Sequence, residues 1–135
     1  MISIDAPLFT QIATAVREEY PGAFVTNEFV SKPPTFPAVF IEESDNTSDR
    51  STMDSSNTEL FANITLTVDI YSARNVGKKA ECRAIAKYID DMLIGLGCER
   101  SSLIPVPNLN EPTIYRMRGI YGYKVDAHST IYRRG

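Results

Sequence analysis

The chain holds one histidine, His128, and two cysteines, Cys82 and Cys98, among 135 residues. These three side chains cannot supply the four Cys/His ligands of a closed zinc site. His128 could serve as a general base, but no acid or nucleophile is spaced to work with it. A surface histidine beside a turn is the simpler assignment. Cys82 and Cys98 bracket an apolar helical pattern and read as small buried hydrophobes. Glu42, Glu43, Asp45 and Asp49 form an acidic run. A calcium loop would need ligands at alternate positions and a glycine at the sixth, and neither occurs, so the run reads as solvated acids. No nucleophile elbow, glycine-rich phosphate loop or His-Glu metal helix is present. The expectation is a protein without catalytic residues, cofactor or metal, and therefore not an enzyme.

One motif approaches nucleic-acid chemistry. Arg118-Gly-Ile-Tyr-Gly-Tyr-Lys-Val resembles the aromatic strand signature of RNA-recognition motifs. It carries an extra residue after the glycine, and the next segment reads as a strand where that fold needs a helix. The chain is also acidic, with a net charge of −3, which disfavours a binder held by an overall basic field. What survives is a strand on which Tyr and Arg alternate, a chemistry suited to a wet protein interface.

These residues need elements to position them. Residues 5–20 read as a helix, with Asp5 as N-cap, Pro7 in the first turn and an apolar stripe of Leu8, Ile12, Ala15 and Val16. Residues 23–30 and 38–43 read as two strands joined as a hairpin by a proline-rich turn. Residues 44–57 are almost wholly Ser, Thr, Asp and Asn, and residues 44–58 are expected to form a long polar loop. Residues 60–71 alternate cleanly, with Leu60, Ala62, Ile64, Leu66, Val68 and Ile70 on one side and Phe61 through Tyr71 at odd positions on the other. Residues 77–96 form the main helix, ended by Gly95 and Gly97. Its charges oppose the macrodipole, with Lys78 and Lys79 near the start and Asp90 and Asp91 near the end. Residues 103–108 are extended, residues 113–125 form a long strand with Gly119 and Gly122 as bends or bulges, and residues 130–134 form a closing strand. The order α-β-β-β-α-β-β-β predicts one α+β domain over residues 1–135. A mainly antiparallel sheet should carry both helices on one face.

Charge is unevenly distributed along the chain. Residues 1–70 hold 11 acids and 3 bases, a balance of −8, and residues 71–135 hold 6 acids and 11 bases, a balance of +5. Folding could mix the halves and cancel this. Two faces of opposite sign would instead let copies stack head-to-tail, because heterologous contacts pair unlike surfaces and can close into rings. The first residues carry no basic, apolar leader, and no stretch approaches the roughly 20 apolar residues of a membrane span. The expectation is a soluble protein of a reducing cytoplasm, without a membrane partner.

Several segments carry a resemblance: Phe36-Pro-Ala-Val-Phe-Ile-Glu-Glu, Tyr71-Ser-Ala-Arg-Asn, Lys79-Ala-Glu-Cys-Arg-Ala-Ile-Ala-Lys-Tyr-Ile-Asp-Asp-Met and Leu96-Gly-Cys-Glu-Arg. Pro105-Val-Pro-Asn-Leu-Asn, Thr113-Ile-Tyr-Arg and Ile131-Tyr-Arg-Arg extend it to about residues 24–134. Together they resemble the small minor virion proteins of tailed phages and prophages, of the tail-terminator or tail-completion type. The resemblance implies an α+β subunit of a hexameric ring in the virion neck, made in the bacterial host cytoplasm. Such a ring caps the tail tube and joins it to the head connector or a stopper protein, and DNA only passes through its channel. Candidate subunit or tube contacts are Asp45, Asp49, Arg50, Met53 and Asp54 in the polar loop, and Lys78 and Lys79 at the helix start. Tyr71, Tyr115, Arg116, Arg118, Tyr121 and Tyr123 on the strands complete the set. Other neck roles (stopper, connector adaptor, minor capsid protein) share small size and ring symmetry. A cytoplasmic dimeric α+β ligand-binding or enzyme domain is the alternative of a different class, and would form a closed dimer around a polar pocket.

Overall fold

The computed structural model describes residues 5–28, 33–48, 61–107 and 113–126. They form α1 (Asp5–Glu19), β1 (Phe24–Thr26), β2 (Ala38–Ser48), β3 (Phe61–Ser72), α2 (Lys78–Leu96), β4 (Glu99–Pro105) and β5 (Tyr115–Asp126). The strands make one mixed sheet in the order β1-β2-β3-β5-β4, antiparallel except for the β1–β2 pair. Both helices lie on one face, so the expected α+β class holds. The expected closing strand, residues 130–134, and His128 fall outside the described residues.

Period-two alternation decides which strand residues meet the helices. Ala62, Ile64, Leu66, Val68 and Ile70 of β3 join Met117, Tyr121, Tyr123 and Val125 of β5 in the core, with Val39 and Ile41 from β2. Leu8, Ile12, Ala13 and Val16 of α1 and Cys82, Ile85, Ala86, Ile89 and Leu93 of α2 cover them. Cys82 and Cys98 are buried there as free thiols, and burial pushes them up to about 12 and about 11, so neither is a nucleophile near neutral pH. Gly97, at a φ of 104°, caps α2 in the left-handed region, donating its N–H to Ile94 O, while Gly95 stays inside the helix.

Three expectations change. The first two strands are not a hairpin, because Phe24, Val25 and Thr26 pair in parallel with Ala38, Val39 and Phe40. The proline-rich segment between them is a crossover long enough to return the chain to the same end of the sheet, not a tight turn. Residues 44–48, expected in a loop, extend β2, because the ladder with β3 gives their polar backbone partners. A register shift between Glu43 and Asp45 leaves Ser44 as the extra residue; its hydroxyl donates to Thr65 O at 3.2 Å. Gly119 and Gly122 are neither bends nor bulges, since β3 and β5 pair without interruption from Phe61↔Asp126 to Ser72↔Tyr115. Gly119 is instead a site of close approach, where an added Cβ would come within 2.8 Å of the Tyr121 ring.

The sheet order has a consequence for charge. α1, β1, β2 and β3 come from the acidic half of the chain, and α2, β4 and β5 from the basic half. β1-β2-β3 are contiguous in the sheet, as are β5-β4. α1 packs over β1 and β2, and α2 over β3, β5 and β4. The two halves therefore adjoin in the sheet and meet along the β3–β5 seam, where α2 packs over β3, and at the α1–α2 contact. Among the described residues, 8 acids and one base of the first half thus adjoin 9 bases and 5 acids of the second.

Candidate functional site

The face of the sheet away from the helices carries a charged cluster at the β3–β5 seam. Register puts Asp69 opposite Arg118 and Tyr71 opposite Arg116. Arg118 grips the Asp69 carboxylate with two bonds, Nε to Oδ1 at 2.8 Å and Nη2 to Oδ2 at 3.1 Å. Arg116 Nη2 donates to the same Oδ2 at 2.9 Å, and its guanidinium sits 5.3 Å from the Tyr71 ring centroid. The Asp69 side chain is 3% exposed, that of Arg116 19% and that of Arg118 38%. Asp69 thus neutralises one of two cations. The Arg116 Nε is buried and has no acceptor among the described residues. Arg118's own bonds to Asp69 are the leading cause that strengthens its hold on its proton. Burial pushes the Tyr71 phenol up, partly opposed by the Arg116 charge.

Asp69 ties the two halves of the chain together through its pairs with Arg116 and Arg118. The pairs Arg74–Glu81, Lys87–Asp91 and Arg100–Asp90 stay inside the basic half. Glu18, Glu19, Glu28, Glu42 and Asp45 of the first half are exposed.

The expected contact residues separate into groups. Tyr71, Arg116 and Arg118 come together on the open face, held by contacts within the chain. Tyr121 and Tyr123 do not join them: they are 1% and 6% exposed and share the core-facing period with Met117 and Val125. Tyr115 lies on that same face, partly buried against the core. The Tyr121 hydroxyl donates to Asp90 Oδ1 at 2.7 Å, and Arg100 Nη1 donates to Asp90 Oδ2 at 3.0 Å. Burial, then the bond to Asp90, push the Tyr121 phenol far above its ordinary value. Asp90 and Asp91 are thus held by local partners, the latter by Lys87 at 2.9 Å, which offsets their place near the negative end of α2. Lys78 donates to Thr113 O at 3.1 Å within its own chain, whereas Lys79 is exposed. Asp45 is exposed at the far end of β2. Asp49, Arg50, Met53 and Asp54 lie outside the described residues.

Asp69 was not singled out from the sequence. Its signal was present in the alternation of β3, which sets it on one side with Tyr71, but its partners depend on the β3–β5 register. A shallow groove of about 300 Å³ opens further along the seam, lined by Asn63, Thr65, Glu99, Gly122 and Lys124. It brings together no nucleophile with a base. No group of three His, Cys, Asp or Glu among the described residues could hold a metal ion. No described helix is long and apolar enough to cross a membrane. In comparisons with known proteins, no family model and no curated protein matches the chain.

Proposed function

We propose that the chain is a structural virion subunit of the tail-terminator type. Its copies join head-to-tail into a ring, expected to be hexameric, that caps the tail tube and meets the head connector or stopper. DNA passes through the ring without being read. The observation that carries this reading is the side-by-side placement of the two halves of the chain. Among the described residues it sets a first half with 8 acids and one base beside a second half with 9 bases and 5 acids. Heterologous contacts between unlike flanks follow from such a shape, whereas a self-complementary dimer does not require it. The resemblance over residues 24–134 supplies the setting in which a ring of small α+β subunits would work. The open-face cluster fits the same reading, because it keeps the seam between the flanks in register.

The test is addition of the purified chain to isolated phage tail tubes that lack a terminator, viewed by negative-stain electron microscopy. A ring of density at one end of the tube is expected, with the sides bare. Tubes left open at both ends at saturating protein would reject the assignment.

A further inference from the structure

The ring reading leaves open which surfaces meet, and the two flanks differ in a way that assigns them. At 100° per residue along α2, Glu81, Tyr88 and Met92 share one side. That side faces α1: the Tyr20 and Tyr88 rings meet edge-on at 6.0 Å, and the Tyr88 hydroxyl donates to Ala15 O at 3.4 Å. Lys79 and Arg83 lie about 160–200° away from Glu81 around the helix, on the side remote from α1. Asp90, on the same side, reaches β4 through Arg100, which places this flank above the edge strand of the basic half. Lys79 and Arg83 are exposed and form no ion pair with the described residues.

The same flank carries apolar surface. Ile94, 47% exposed, is one of three large hydrophobic side chains strongly exposed among the described residues and lies here in the helix layer, whereas Ile104 of β4 pairs with Arg118 and so belongs to the open face of the sheet. Ile94 follows Arg83 by eleven residues and so returns to the same side of α2. Lys79 and Arg83 at one end of this side of α2 and Ile94 at the other give the flank a cationic and an apolar part, with the exposed acids Asp91 and Glu99 close in sequence to Ile94. β4 itself is a poor template for strand addition, because its register shifts between Arg100 and Ser102 and it ends at Pro105. Side chains, not a shared ladder, must make the contact.

The opposite flank offers the complement. Glu18 and Glu19 are exposed at the end of α1, beside the short edge strand β1, and form no ion pair with the described residues. The nearby Arg17 is occupied, donating to Val25 O at 3.1 Å.

We infer that the α2 flank of one copy, through Lys79, Arg83 and Ile94, docks on the α1–β1 flank of a second copy at Glu18 and Glu19. The contact is heterologous, so each copy keeps one flank of each kind for its next neighbour. This rests on the proposed self-assembly and names its surfaces.

The test is charge reversal, with assembly followed by sedimentation velocity over a range of concentrations. Lys79→Glu with Arg83→Glu should raise the concentration needed for assembly about tenfold or more. Glu18→Lys with Glu19→Lys should do the same, and all four changes in one chain should restore assembly to near the starting value. Ile94→Ser keeps every charge and should weaken assembly by itself. All sites are exposed, and circular dichroism checks that each variant is folded. If the unaltered chain assembles beyond a dimer but the reversals change nothing, or the four-fold variant stays impaired, the assigned surfaces are wrong and the ring reading stands. If the unaltered chain never exceeds a dimer, both fall.

Discussion

Asp69→Ala is expected to lower the unfolding free energy by about 3–5 kcal/mol, the usual cost of removing one partner from a buried ion pair. The carboxylate accepts three hydrogen bonds from two guanidiniums while almost fully covered. Without it, Arg118 can swing toward water, but Arg116 is four-fifths covered and already has a buried Nε without an acceptor. The loss should therefore come mainly from Arg116. A second substitution tests this: Asp69→Val combined with Arg116→Met should recover most of the stability, because an apolar pair does not strand a charge. Urea unfolding measures both, as a change in midpoint at constant slope. A loss below about 1 kcal/mol for Asp69→Ala would mean the cluster behaves as an ordinary surface ion pair.

Tyr121→Ala should cost a similar amount, about 3–5 kcal/mol, as for other buried aromatics cut back to alanine. Tyr121 is the largest of the fully buried side chains, and its hydroxyl ties β5 to α2 through Asp90. Tyr121→Phe should cost only about 1 kcal/mol, since Asp90 keeps its bond to Arg100. Gly119→Ala should cost about 1–3 kcal/mol, because the new methyl would meet the Tyr121 ring and Leu103. The ring cannot yield easily, being enclosed and hydrogen-bonded. A double-mutant cycle identifies the mechanism: in the Tyr121→Ala background, Gly119→Ala should become nearly neutral. Additive losses would place the glycine's role in the backbone and not under the ring.

Elements with strong periodicity were legible in the sequence. The two helices follow from stripes at three- and four-residue spacing, and β3 from alternation over Ala62 to Ile70. What escaped were features fixed by pairing between distant segments. The parallel β1–β2 contact depends on where a proline-rich crossover lands, which local composition does not encode. Ser44 to Ser48 look like loop residues, yet they belong to a strand because β3 lies beside them. Glu99 to Ser101 are polar and exposed, so β4 begins earlier than apolar patterning suggests. The tyrosines of β5 illustrate the same limit. Their alternation with arginine was visible, but which side met the helices was decided by Met117 and Val125, and Tyr121 and Tyr123 went with them. The open-face cluster was half legible: Tyr71, Arg116 and Arg118 stood out by type, while Asp69 needed the register that sets it against Arg118. The charge asymmetry could be counted along the chain, but the sheet order was needed to see that the two halves occupy adjoining parts of the sheet.

Head-to-tail self-association of unlike flanks is the central claim. Sedimentation velocity of the purified chain, at rising concentration in low salt and again in about 1 M salt, tests it most directly. The predicted result is a monomer that passes into one discrete closed multimer larger than a dimer, with the transition moving to higher concentration in high salt. A stable dimer at every concentration, indifferent to salt, would contradict it.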